Sequence, residues 1–261
     1  TENTAIGYQA LSTEDAHGNN VAVGYYALKD LNAGTDSYQT SVGYQAGMSV
    51  TTGIRNTLIG GLTGDALTSG ERNTAVGYAV LSADTLGSRN VGVGYEVLGN
   101  QNFTTATNAY NTAVGYAAGN VISTGFLNTL IGGLTGDALT TGNNNTAVGY
   151  SALSADTLGD RNTALGVSAL GAQNFTTTTD SYNVGLGYTA GASITTGTNN
   201  VLIGGQAGDA LTDSDSNVAI GRGALSSDTL GSRSVAIGQD ALNGQNFTTA
   251  TDSRNVAVGF S

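Results

Sequence analysis

Side chains able to do acid–base, nucleophilic or metal chemistry are few and scattered in this sequence. It holds one His (His17), one Met (Met48), one Lys (Lys29) and no Cys. Without Cys, disulfides, thiolate nucleophiles and cysteine-ligated metals are all ruled out. His17 lies in a Gly- and Asn-rich stretch with no second imidazole, and it reads as a solvated turn residue. Two carboxylate series recur, Asp65, Asp137 and Asp209, and Asp84, Asp156 and Asp228, with successive members 72 residues apart. Asp213 and Asp215 are close together but occur once, as a charged turn would. A Gly-rich phosphate loop needs Lys after its glycines, and Lys29 is misplaced for one. The formal net charge is −11 and the eight basic residues are dispersed along the chain. Nucleic acid and anionic membrane are therefore poor partners. We expect no catalytic, cofactor or metal site, and no enzyme.

Two further sets of residues are candidates for surface chemistry. Asn102, Asn174 and Asn246 begin Asn-Phe-Thr, and Asn144 begins Asn-Asn-Thr, so all four are candidate glycosylation sites. Arg55, Arg72, Arg89, Arg161 and Arg254 each directly precede an Asn that opens a recurring pentapeptide. They read as a sparse corner row that offsets nearby acids, and exposed pairs of that kind add little stability.

The pentapeptide is the organising fact. Asn3-Thr4-Ala5-Ile6-Gly7 is followed by Asn20-Val21-Ala22-Val23-Gly24, and the pattern continues to Asn255-Val256-Ala257-Val258-Gly259. There are fifteen such motifs, with closing glycines 17, 19 or 21 residues apart. A 72-residue super-repeat of four coils overlies them, marked by Gly43, Gly115, Gly187 and Gly259. Its longest coil carries Gln101-Asn102-Phe103-Thr104-Thr105 and the equivalents beginning at Gln173 and Gln245. A short repeat cannot bury an apolar face alone, but a stack can. Alternating Val, Ile, Thr and Leu bounded by Gly favour strand, and interior Gly disfavours helix by roughly 1 kcal/mol each. The expected fold is all-β, a parallel β-solenoid (a β-roll) of about fifteen coils of 17–21 residues, forming one continuous domain over residues 1–261. At ~4.8 Å per strand such a stack spans roughly 65–70 Å, and the recurring acids fall roughly 19 Å apart, too far to share a proton or an ion.

Each motif position then has a role. The aliphatic before the Gly and the Thr or Val two residues earlier share a strand face, and are expected to pack into a continuous column. The small residue between them is expected where another backbone comes close. The leading Asn is present in thirteen of fifteen motifs: Asn3, Asn20, Asn56, Asn73, Asn90, Asn111, Asn128, Asn145, Asn162, Asn183, Asn200, Asn217 and Asn255. Gln39 and Ser234 fill the other two places. This row is read as a structural ladder, with a glycan- or ion-binding row as the functional rival. A second Gly ten residues after the motif Gly, as at Gly53 and Gly70, marks the opposite turn. Tyr follows the motif Gly at Tyr8, Tyr25, Tyr44, Tyr78, Tyr95, Tyr116, Tyr150 and Tyr188, and register is lost at Gly61, Gly133 and Arg222. The broken aromatic column fits inter-chain packing better than a carbohydrate-stacking strip.

Ser234-Val235-Ala236-Ile237-Gly238 and its relatives resemble the head repeat of trimeric autotransporter adhesins, over essentially the whole chain. Copies such as Asn3 to Leu11 and Asn145 to Leu153 are similar to repeats of phage and metagenomic fibre proteins. The resemblance implies a left-handed β-roll, three chains about a common axis, and a cell-surface or virion-surface location. These coils are longer than is typical of that family. The expected function is an extracellular structural or adhesive fibre, with a phage tail-fibre shaft as the alternative and ice binding as a remote one. Expected partners are other copies, as a homotrimer or stacked head to tail, and a host-surface or glycan receptor. No run approaches the ~18–20 apolar residues of a membrane span. Thr1 and Ser261 both fall inside the pattern, so coils are expected to continue across the ends.

Overall fold

The computed structural model describes residues 2–14 and 17–261; Thr1, which the sequence places inside the repeat, lies outside them. The fold is an all-β parallel solenoid of about fifteen coils, and it divides into two compact units, Thr1–Leu127 and Asn128–Ser261. In the first unit, Thr4–Ile6, Val21–Val23, Thr40–Val42, Thr57–Ile59, Thr74–Tyr78, Val91–Tyr95 and Thr112–Tyr116 pair in sequence order. In the second, eight strands from Thr129–Ile131 to Val256–Val258 do the same. Register follows the pentapeptide without slip: Thr74 pairs Val91, Ala75 pairs Gly92 and Val76 pairs Val93. A second, two-residue ladder forms beside each long coil, Gly87–Ser88 on Thr107–Asn108 in the first unit. Gly159–Asp160 on Thr179–Asp180 and Gly231–Ser232 on Thr251–Asp252 repeat it in the second.

The motif Gly is fixed by crowding as well as by conformation. Gly77 has φ +138°, and a Cβ there would fall on the carbonyl of Gly94, the same position one coil on. No L side chain tolerates both constraints. The chain then turns through left-handed residues two and four positions later, for example Ala79 (φ 51°) and Leu81 (φ 53°).

The inside of the coil is the opposite of the sequence expectation. Between the first and last motif strands the middle residue is the buried one: Ala22, Ser41, Leu58, Ala75, Gly92 and Ala113 in the first unit, Leu130, Ala147, Ala164, Gly185, Leu202, Ala219 and Ala236 in the second. The flanking Thr, Val and Ile point outward, with Ile59 37% and Leu165 41% exposed. The reason is volume. Behind Ala75 and Ala147 a Leu fills the core from the left-handed turn, Leu81 and Leu153, whereas behind Ser41, Ala113 and Gly185 that turn position is Gly47, Gly119 or Gly191. Where the middle residue is Leu58, Leu130 or Leu202, that turn position is Gly64, Gly136 or Gly208. A Cβ on Gly64 would come 2.9 Å from the Leu58 side chain and 2.8 Å from that of Leu67. In these coils the strand centre and the turn position share one volume, which a single large side chain fills, as close packing demands.

Candidate functional surfaces

The Asn row is internal. From Asn20 to Asn217 its members are at most 1% exposed, so no glycan or ion reaches them from outside. Within the first unit, each side-chain oxygen accepts the backbone N–H of the next member: Asn56 from Asn73 at 2.9 Å, Asn73 from Asn90 at 2.9 Å, Asn90 from Asn111 at 3.2 Å. The second unit repeats this from Asn128 through Asn145, Asn162, Asn183, Asn200 and Asn217 to Ser234. In most coils the amide nitrogen reaches across to a carbonyl fourteen residues on, Asn56 to Gly70 and Asn73 to Gly87, both at 2.9 Å; where the long coil follows, Asn90 and Asn162 donate instead to the Oδ1 of Asn73 and Asn145. The second Gly, where a coil has one, is thus the usual acceptor that the ladder closes on. Gln39 keeps the pattern with its longer arm, accepting from Asn56 and donating to Gly53.

Asp84, Asp156 and Asp228, set aside from sequence as isolated acids, are each completely buried. Asp84 Oδ1 accepts the N–H of Gly87 at 3.0 Å and of Phe103 at 3.2 Å, and Oδ2 accepts Gln101 Nε2 at 2.6 Å. Gln101 Oε1 in turn accepts Asn111 Nδ2 at 2.8 Å. The relay recurs as Asp156–Gln173–Asn183 and Asp228–Gln245–Asn255. It fastens the longest coil to the ladder, and it explains the Gln-Asn-Phe signature: Gln relays, and Phe103 and Phe175 are buried. Burial pushes the Asp84 and Asp156 carboxyls above the usual range, against the Gln and backbone donors that pull them down. Only the coincidence of Asp84 with Gln101, seventeen residues on and so one coil away, marked this in the sequence.

The outer face carries the aliphatic strand residues and the Tyr column. Tyr8, Tyr25 and Tyr44 stack with ring centroids 5.5 Å apart, and Tyr78, Tyr95 and Tyr116 at 5.4 and 5.5 Å. Interplanar angles of 7 to 18° mean that neighbouring rings cover each other's faces and present edges to solvent. Another apolar surface can pack along such a column. Tyr150 and Tyr188 follow the same slot in coils whose neighbours carry Gly133, Val167 and Gly205, and both are exposed.

Stacking also gathers residues that are dispersed in sequence. Tyr38, Arg55, Arg72, Arg89 and Tyr110 occupy one corner on five successive coils, all with left-handed φ. Arg72 pairs with Glu71 at 3.1 Å, and Arg89 donates to Asn108 at 2.9 Å and lies 5.5 Å from the Tyr110 ring centroid. Arg161 pairs with Asp180, and Arg254 lies 3.5 Å from Asp252, so this corner is largely self-compensated. The sequon residues Asn102, Asn174 and Asn246 are exposed and accept the hydroxyls of Thr85, Thr157 and Thr229; Asn144 is exposed at a left-handed corner. The His17 N–H donates to Glu14, and its carbonyl accepts Asn3 Nδ2. Among the described residues, no three His, Asp or Glu side chains converge as a metal site.

No family model matches this chain. No curated protein matches its sequence. The geometry establishes a β-solenoid repeat protein.

Proposed function

We propose that this chain is part of an extracellular structural or adhesive fibre, on a cell or virion surface, that self-associates through its outer strand face. The observation that carries the reading is the outward aliphatic residue before each motif Gly, with Val or Thr two residues earlier on the same face, beside the exposed Tyr column. Contiguous exposed apolar surface of this kind belongs to interfaces. A homotrimer is the assembly in best accord with the resemblance to adhesin heads. The reading is non-enzymatic, because the buried carboxylates are engaged in holding the long coils. Receptor attachment is a separate property, carried by whatever the assembled surface leaves open.

Sedimentation equilibrium tests the assembly. The expected mass is three times the 26.0-kDa chain, and Ile59→Asp with Leu165→Asp should return it to one chain with an unchanged β-sheet circular dichroism spectrum. A wild-type chain that stays monomeric at every concentration overturns the reading.

A further inference from the structure

One surface pocket departs from the internal repetition. It has a volume of about 280 Å³ and is lined by Ala79, Ser82, Glu96, Gly99, Asn100 and Asn120. One block later the same backbone carries different side chains: Ser168, Ala172 and Ala192 replace Glu96, Asn100 and Asn120. The backbone itself does not change. Glu96 and Ser168 have φ 52° and 54°, and the N–H of Asn100 donates to the Asn120 carbonyl at 3.0 Å as that of Ala172 does to Ala192 at 3.1 Å. The second unit forms its coils without the Glu and the two Asn, so the fold does not require them.

The pocket is richer in acceptors than in donors. Asn100 Nδ2 is committed to the carbonyl and Oδ1 of Asn120, both at 3.1 Å, and Asn120 Nδ2 to the Glu96 carbonyl at 2.7 Å. The Ser82 hydroxyl donates to the Gly99 carbonyl at 3.2 Å. What remains for a ligand is the Glu96 carboxylate, Asn100 Oδ1 and the lone pairs of Ser82. The carboxylate also accepts from the neighbouring Tyr95 hydroxyl, which holds that phenol above its ordinary pKa. A ligand complementary to this arrangement brings several donors and a positive charge, in a body small enough for a pocket at the lower end of the usual ~300–1,000 Å³ range. A chain with net charge −11 draws such a cation toward it. One carboxylate is too few for a tightly held Ca²⁺, whose sites use six to eight oxygens.

We propose that the Glu96–Asn100–Asn120 pocket binds a sugar unit bearing a protonated amine, the ammonium on Glu96 and the ring hydroxyls on Asn100 and Ser82. The site adds a recognition function to the fibre reading, and it stands whether or not the chains trimerise.

Saturation-transfer NMR on the full chain at about pH 6, where the sugar amine carries its proton, tests it with glucosamine, glucose and N-acetylglucosamine. Glucosamine should bind about fivefold more tightly than the two neutral sugars, the difference between a charge-assisted and a neutral hydrogen bond. The triple variant Glu96→Ser, Asn100→Ala, Asn120→Ala copies the second block, so it should melt as the parent does and lose the glucosamine signal. Absent transfer to glucosamine, equal transfer to all three sugars, or a signal that survives in the triple variant overturns the proposal. Loss of glucosamine binding on adding equimolar Ca²⁺ overturns it in favour of a cation site.

Discussion

Asn73 holds Asn90 twice, its Oδ1 accepting the backbone N–H at 2.9 Å and the side-chain Nδ2 at 3.1 Å. Asn73 also donates its own Nδ2 to Gly87 at 2.9 Å, so one carboxamide joins two coils and closes one. All of this is buried, where an unmade hydrogen bond carries its full desolvation cost. Asn73→Ala should therefore destabilise the chain by about 3 kcal/mol. Asn32→Ala, at an exposed position, should change stability by less than about 0.5 kcal/mol. Urea unfolding curves distinguish the two, and equal effects would refute an internal ladder.

The exchange of Leu58 with Gly64 against Ala75 with Leu81 makes a second prediction. Leu58→Ala alone opens a cavity and should cost about 3 kcal/mol. Adding Gly64→Leu recreates the arrangement of the next coil, where Leu81 takes φ 53° against 56° at Gly64. The double variant should recover more than half of the loss, read as a favourable coupling in a double-mutant cycle. Additive losses would mean that the two positions do not share one volume.

Acidity should stabilise the fold. Asp65, Asp84, Asp137, Asp156 and Asp209 are all raised above the ordinary value of 3.8, chiefly by desolvation. A carboxyl with a raised folded pKa binds its proton more strongly in the folded chain. Its contribution is fully present below the unfolded value and is lost as pH rises through the folded one. The melting temperature should thus rise as pH is lowered from neutrality toward the ordinary carboxyl value of 3.8. Oδ1 of Asp65, Asp137 and Asp209 is buried without a hydrogen-bond partner, so Asn at all three positions should flatten the slope. Neutralising Glu2, Asp30 and Glu71 changes net charge equally and should flatten it less.

The Tyr25 phenol is pushed up to about 12, first by its hydrogen bond with Tyr26, then by burial and the flanking Tyr8 and Tyr44. Ultraviolet titration should show a late tyrosine step to which Tyr25 contributes. Tyr26→Phe should bring that late step back toward 10, the ordinary value. A titration unchanged by the substitution would place the hydrogen bond elsewhere.

The sequence by itself determined the coil length, the strand at each pentapeptide and the register. Asn and Gly recur at intervals only a parallel stack can align, and the clash at Gly77 forbids any slip. It also located the Asn row, the Tyr slots and the long coil at Gln101. Which strand face is inside was decided only in three dimensions. Period-two alternation separates Ala75 from Thr74 and Val76 but does not say which side the chain curls toward; that depends on the left-handed turns at Ala79 and Leu81, where most sequences would be expected to stay right-handed. The pairing of Leu58 with Gly64 was the legible clue, since a large residue and a missing one in the same coil mark a shared interior. The burial of Asp84, and the meeting of Glu96, Asn100 and Asn120, depend on neighbours 17 to 24 residues away. Such distances become contacts only once one coil lies on another.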